Sequence, residues 1–186
     1  MKNDTGVTFS INTTNKLKIL GMTINSKLTW DDHIEVACKR SNQRLHILRT
    51  LKPHISQIEL HQVYIALIRS IFDYCSPVYV KLPNKLCKRV KKVEKRAHRL
   101  IYGEDASCSC ILDGMISRRE ELSVRLFFKI LHDKHHLLHN KLPHILPHNT
   151  RLSNFTCRTN KRLHSYFPYT TQLINTKTFT LPTNSV

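Results

Sequence analysis

Acidic residues are scarce in this chain: 13 Asp and Glu stand against 30 Lys and Arg in 186 residues, a net charge of +17 with pI near 9.9. Such a surplus repels itself unless a polyanion or counterions lie close, so nucleic acid is the first partner to consider. Long apolar runs are missing too. The most apolar stretch, Val63 to Phe72, is broken by Arg69 and falls well short of the roughly 20 residues that cross a bilayer, so no membrane partner is expected. Between Met1 and Trp30 no basic segment leads into an unbroken apolar one. A secretory signal is therefore not expected, and the chain is read as intracellular, nuclear or cytoplasmic. The six cysteines (Cys38, Cys75, Cys87, Cys108, Cys110 and Cys157) form no Cys-x-x-Cys pair. Three of them fall inside predicted helices, where reduced cysteine packs as a small hydrophobe, and this disfavours a disulfide framework. There is no internal repeat.

What is present suffices for one ordinary domain, or a small domain with an attached tail. Hydrophobic residues make up 40% and charged ones 23%, which permits a buried core with ends poor in core material. Leu17 to Thr29 is β-branched and apolar, with Gly21 and an Asn25-Ser26 turn, and reads as a strand or hairpin. Helical periodicity takes over at Trp30. Asp31 or Asp32 is placed to cap a helix carrying Ile34, Ala37, Cys38, Leu45, Leu48 and Leu51, and Pro53 stops it. Ser56-x-x-Glu59 is a capping box opening a second helix. There Ile58, Tyr64, Leu67, Ile68, Ile71 and Phe72 cover enough of the circumference to make it central, until Ser76-Pro77 ends or bends it.

Pro83-Asn84 introduces a third helix whose Leu86, Val90, Val93, Ala97, Leu100 and Ile101 form one stripe, closed by Gly103. Its other face is a row of cations. Between Lys81 and Gly103 lie nine Lys and Arg against the single acid Glu94, a local charge of 9 − 1 = +8. Lys85, Lys88, Arg89, Lys91, Lys92, Lys95, Arg96 and Arg99 are the candidate nucleic-acid-binding residues, because ammonium groups at helical spacing can meet a phosphate backbone together and release its condensed counterions. A solvated face, or a nuclear-localisation run from Lys88 to Arg96, competes with that reading. Ser117-x-x-Glu120 then predicts a fourth helix through Leu122, Leu126, Phe127, Ile130 and Leu131, ending in a histidine cluster. From Asn140 onward Pro143, Pro147, Pro168 and Pro182 interrupt a Thr- and Asn-rich stretch, so no long helix and partial disorder are expected. The fold expected is mainly α: a short N-terminal strand or hairpin over 1–30, a bundle of about four helices over 31–139, and an irregular basic tail over 140–186.

Several short motifs, in colinear order, carry a resemblance. Lys18-Ile19-Leu20-Gly21-Met22-Thr23-Ile24, with Lys27-Leu28-Thr29-Trp30 and His33-Ile34, resembles the strand and helix start that follow the palm in jockey-like and related LINE-type reverse transcriptases of non-LTR retrotransposons. Asp73-Tyr74-Cys75-Ser76-Pro77-Val78-Tyr79 is similar to that family's Tyr-x-x-Pro-Val segment. Lys92 to Gly103 is similar to its basic helix with an Ile-x-Gly turn, and Arg118-Arg119 with Leu126 to Leu131 continues the pattern. The likeness covers about residues 17 to 140. It implies the end of a palm followed by a thumb, closing on RNA–DNA or DNA duplex, with the palm and fingers of the parent RNA-directed DNA polymerase as further partners and magnesium as the parent's cofactor.

The chain departs from that pattern at two places. Asn25 stands where the family usually has Asp, which puts a turn interaction in doubt. The Tyr-x-Asp-Asp tetrad occurs nowhere in the chain, and two-metal phosphoryl transfer needs such carboxylates. The fragment is therefore expected to have no catalytic residue or cofactor of its own and not to polymerise alone. Trp30-Asp31-Asp32-His33 mimics the tetrad only superficially, at a helix start where acids favour the dipole. The alternative is a stand-alone basic helical module that binds nucleic acid or an acidic protein. A zinc protein is a third reading, because His132, His135, His136 and His139 include i, i+4 spacings and Cys108-x-Cys110 lies nearby. Its looseness and the lack of Cys-x-x-Cys or His-Glu-x-x-His weigh against a metal. In the tail Phe155, Tyr166, Phe167, Tyr169 and Phe179 among basic residues could stack on unpaired bases, or pack on the helices. Asn3, Asn12 and Asn154 match the glycosylation pattern but carry no weight without a secretory route.

Overall fold

The computed structural model describes residues 14–103, 114–146 and 151–177. It is mainly helical, with one N-terminal hairpin. Strands β1 (Lys16–Ile19) and β2 (Met22–Asn25) pair antiparallel, Lys16 opposite Asn25 and Ile19 opposite Met22. Leu20 and Gly21 join them with φ of 46° and 83°, the doubly left-handed turn that matches strand twist. Gly21 takes this conformation freely, whereas Leu20 is strained in it. The Tyr74 hydroxyl donates to the Leu20 carbonyl at 2.5 Å and holds the turn.

Helix α1 (Asp31–Leu51) starts where the sequence predicts, but neither aspartate caps it: Trp30 holds the N-cap position without a side-chain bond. Asp32 instead ties the helix to the hairpin. It accepts from Asn25 Nδ2 at 2.8 Å and pairs with Lys16 at 2.5 Å. Asn25 Oδ1 also accepts the Thr29 N–H at 2.9 Å, so the turn interaction survives the change from Asp. An aspartate at 25 would face the Asp32 carboxylate where the amide now donates to it.

The capping box opens α2 (Gln57–Tyr64) as expected, with both reciprocal Ser56–Glu59 bonds made. The helix continues through a widened five-residue π turn (Ile65–Arg69) into α3 (Ser70–Asp73). Arg44 Nη1 donates to the Leu67 carbonyl inside that turn at 2.5 Å. Tyr64, Ile68 and Phe72 are buried, but Ile58 is 75% exposed, because it sits in the first turn on the solvent side. The helix stops at Asp73, before the Ser76-Pro77 signal. Cys75 adopts φ 51° and leads into a 3-10 turn over Ser76–Tyr79.

Helix α4 (Asn84–Tyr102) runs between Pro83 and Gly103, whose N–H returns to the Arg99 carbonyl at 3.0 Å and whose φ is 92°. Helix α5 (Met115–His132) begins two residues before the expected cap. Ser117 lies inside it, and Gly114 takes the N-cap position without a side-chain bond. The free amide of Met115 is satisfied from another helix, by Glu94 Oε1 of α4 at 2.9 Å. Arg119 of α5 is buried, its Nε donating to the Val80 carbonyl at 2.9 Å.

The main core gathers Ile34 and Leu48 of α1, Tyr64 of α2 and the α4 stripe. A second cluster joins Val124 and Phe127 of α5 to Leu152, Leu173 and Ile174. The tail is therefore more ordered in its described part than its prolines imply. It holds α6 (Asn160–Leu163) and an 11-residue α7 (Tyr166–Thr176) that packs on α5. Pro168 falls in the first turn of α7, where its missing N–H has no intrahelical partner to lose. Asn175 clamps the preceding segment by bonding both the N–H and the carbonyl of Leu152. The expectation of disorder for 147–150 and 178–186 lies outside the described residues.

Candidate nucleic-acid interface

Helix α4 builds the surface. At 100° per residue its apolar positions fall on one arc and its cations on the opposite arc, about 160° wide. Leu86, Val90, Val93, Ala97 and Ile101 are all buried against α1, α2 and α5. With that stripe locked, Lys85, Lys88, Lys91, Lys92, Lys95, Arg96 and Arg99 are turned to solvent, and Arg89 is half-buried at the α1 flank. All eight sequence-predicted residues lie on one face. The five lysines make no ion pair among the described residues. Lys81 is drawn away, its ammonium lying 5.1 Å from the Tyr169 ring centroid on α7.

Glu94, the one acid of the helix, sits at the edge of the buried arc. Burial pushes its carboxyl up, against the opposing pull of the Met115 N–H and of Lys91. Its charge is spent on the start of α5, away from the centre of the cationic face.

Packing adds a neighbour from α1 to this face. Arg96 Nη1 donates to Asn42 Oδ1 of α1 at 3.1 Å, and Arg89 shares with Lys39, Asn42 and Gln43 an open groove of about 550 Å³ between the two helices. Glu35 lies at one end of it, and Cys38 lines it too, its thiol pushed up by burial. A sign of this was available: from Lys39 to Lys52 the chain has five Lys and Arg (Lys39, Arg40, Arg44, Arg49 and Lys52) and no acid. The run is diluted along 14 residues of an apolar-patterned helix, and only packing brings its amide and ammonium groups beside α4.

Other constellations dissolve. The Asp31-Asp32 pair opens α1, and Asp32 is held below the usual carboxylate range first by its bond from Lys16 and then by Asn25. Helix α5 ends at His132, so His135, His136 and His139 lie on turns, and the i, i+4 helical spacing expected of them is not formed. His136 Nδ1 accepts the Leu138 N–H at 3.1 Å. Among the described residues no three His, Cys, Asp or Glu side chains are placed to hold a metal ion; Cys108 and Cys110 lie outside those residues. The tail aromatics are engaged by the protein. Tyr166 donates to the Ser123 carbonyl at 3.0 Å, Tyr169 to Glu120 at 2.8 Å, and Phe155 packs 6.4 Å from Phe167, while Phe179 lies outside the described residues. No described helix is long and apolar enough to cross a membrane.

Set against protein-family models, curated proteins and solved structures, this cationic helical bundle finds no match in any of the three.

Proposed function

We propose that the chain is the end of the palm and the thumb of a non-LTR retrotransposon reverse transcriptase, and that α4 grips the sugar-phosphate backbone of primer and template duplex. The observation that carries the reading is the α4 face: eight cations on one arc, with the opposite arc buried and the only acid committed to a neighbouring helix. A face of unpaired lysines gains by displacing condensed counterions from a polyanion and carries no base-reading geometry. The groove residues Lys39, Asn42 and Gln43 extend that surface onto α1. The strand β1, exposed along its whole length with Leu17 and Ile19 open to solvent, and Leu20 exposed in the turn after it, fits a hairpin that belongs to a larger sheet.

The test is replacement of Lys88, Lys91, Lys92 and Lys95 by Gln, with binding measured on several duplex sequences. The reading requires weaker binding by the same factor for every sequence. Unchanged affinity, or a loss confined to one sequence, would sink it. The stand-alone basic module remains the second reading, favoured by the hairpin's own ties to α1 through Lys16, Asn25 and Asp32. A contiguous upstream frame encoding fingers and an Asp-Asp palm decides for the polymerase fragment, and its absence decides for the module.

A further inference from the structure

Beneath the hairpin turn, on a different face of α1 from the α4 groove, lies a cavity of about 180 Å³. His33, Arg40 and Arg44 line it at i, i+7 and i+11, one stripe of the helix. The turn residues Leu20 and Gly21 and, after α3, Tyr74 help to close it, and among the described residues no carboxylate lines it. His33 is only 7% exposed, and its Nε2 is buried without a hydrogen-bond partner among the described residues, a state that folded proteins seldom leave uncompensated. Burial, and secondly the Arg40 charge, hold the imidazole below its usual titration range. An imidazole can offer an N–H in either protonation state, one when neutral and two when charged.

The two arginines differ in what they have left to give. Arg44 spends one N–H on the Leu67 carbonyl and keeps the rest of its fork. Arg40 makes no ion pair among the described residues. Guanidinium forks suit tetrahedral oxyanions because they present paired, planar N–H donors. A space of this size holds such an anion with a few waters and is smaller than the roughly 300 Å³ at which pockets for drug-sized ligands begin.

We propose that this cavity binds a phosphate group, held by Arg40 and Arg44 with His33 as a third donor. The phosphate is either free orthophosphate or the terminal monoester of a nucleic-acid strand. The site is separate from the α4 face, and its fate does not depend on that of the duplex-gripping reading.

The test titrates the full chain with sodium orthophosphate at fixed pH, with ionic strength held constant by chloride, while the His33 imidazole resonances are followed. The expected result is a saturable shift. It weakens at least tenfold in Arg40→Gln and in Val36→Glu, which sets a carboxylate on the cavity wall at a partly exposed helix position, and it is unchanged in Lys92→Gln. A second arm compares one oligonucleotide carrying a 5′-phosphate or a 5′-hydroxyl. A preference for the phosphorylated end that vanishes in Arg40→Gln assigns the strand terminus, and equal binding of the two ends assigns free phosphate. No saturable response beyond matched chloride, or an undiminished one in both cavity variants, overturns the site.

Discussion

Helices α4 and α5 are both amphipathic and both rich in cations, yet they treat their charges in opposite ways. Over Asn84–Tyr102 the chain has eight Lys and Arg against one acid, and over Met115–His132 four against two. On α5 the arginines are consumed inside the molecule. Arg118 pairs with Glu121 at 2.8 Å and approaches Asp73 at 3.7 Å, Arg125 pairs with Glu121 at 2.6 Å, and Arg119 is buried on the Val80 carbonyl. On α4 the lysines have no such partners among the described residues, and the lone acid faces the other way. The contrast separates a structural cation from one available to a partner: a charge count marks a basic helix, and only the placement of the acids shows which cations are free.

The sharpest way to break that contrast is charge reversal on α4. Lys88→Glu with Lys92→Glu, an i, i+4 pair at the centre of the cationic arc, should lower duplex affinity at least about a hundredfold at low salt, because each change removes a phosphate partner and adds a repulsion. Circular dichroism should be unaltered, since neither side chain is buried.

Next in size is Arg119→Met, which keeps the volume but strands the Val80 carbonyl and removes a guanidinium lying 6.0 Å from the Tyr79 ring centroid. Urea unfolding should show a loss of about 2–3 kcal/mol, with the salt dependence of duplex binding unaffected. A change in that dependence would mean that α5 also meets the ligand.

Glu94→Gln sharpens the comparison from the other side. Because burial raises the folded carboxyl above its ordinary 4.5, its ionisation opposes folding. The contribution of this group is therefore most favourable at low pH and is lost as pH rises through 4.5 and the folded value. Glutamine keeps the acceptor for the Met115 N–H without the charge. Stability at pH 7 should equal or exceed the parent by up to about 1 kcal/mol, with a flatter pH profile above 4.5, and duplex binding should tighten a few-fold. Destabilisation at pH 7 would show that the charge itself is needed as a cap.

The smallest expected effect comes from Glu121→Gln, which releases Arg125 and one bond of Arg118. The Glu121 carboxyl is lowered first by its bond from Arg118, so its stabilising effect is present above the ordinary carboxylate range and disappears as pH falls through the folded value. With its side chain 41% exposed, it should contribute less than about 1 kcal/mol in urea unfolding. Asp73 behaves differently: although it faces Arg69 and Arg118, burial wins and raises it, because both contacts are 3.7 Å long.

What was legible in the sequence follows from how local each determinant is. The α4 stripe, its Gly103 stop and the Ser56–Glu59 box need only neighbours along the chain, and all three form. The α5 start misled because its cap comes from Glu94, 21 residues away, while Ser117-x-x-Glu120 offers a local pattern that the chain does not use; Glu120 instead accepts from Tyr169 and Lys177. Asp32 likewise serves the hairpin, through a pairing with Lys16 that no helix rule anticipates. Helix α7 was hidden by Pro168, which blocks a helix interior but not its first turn. The α1 side of the candidate interface escaped because Asn42 and Gln43 carry no charge, and they gain meaning only beside Arg89 and Arg96.

The most direct measurement is the slope of log affinity against log salt for duplex binding by the parent chain and by the variant with Lys88, Lys91, Lys92 and Lys95 replaced by Gln. The account predicts a steep parent slope that flattens by about 0.9 for each lysine that had met a phosphate. A parent slope that the variant reproduces unchanged would contradict it.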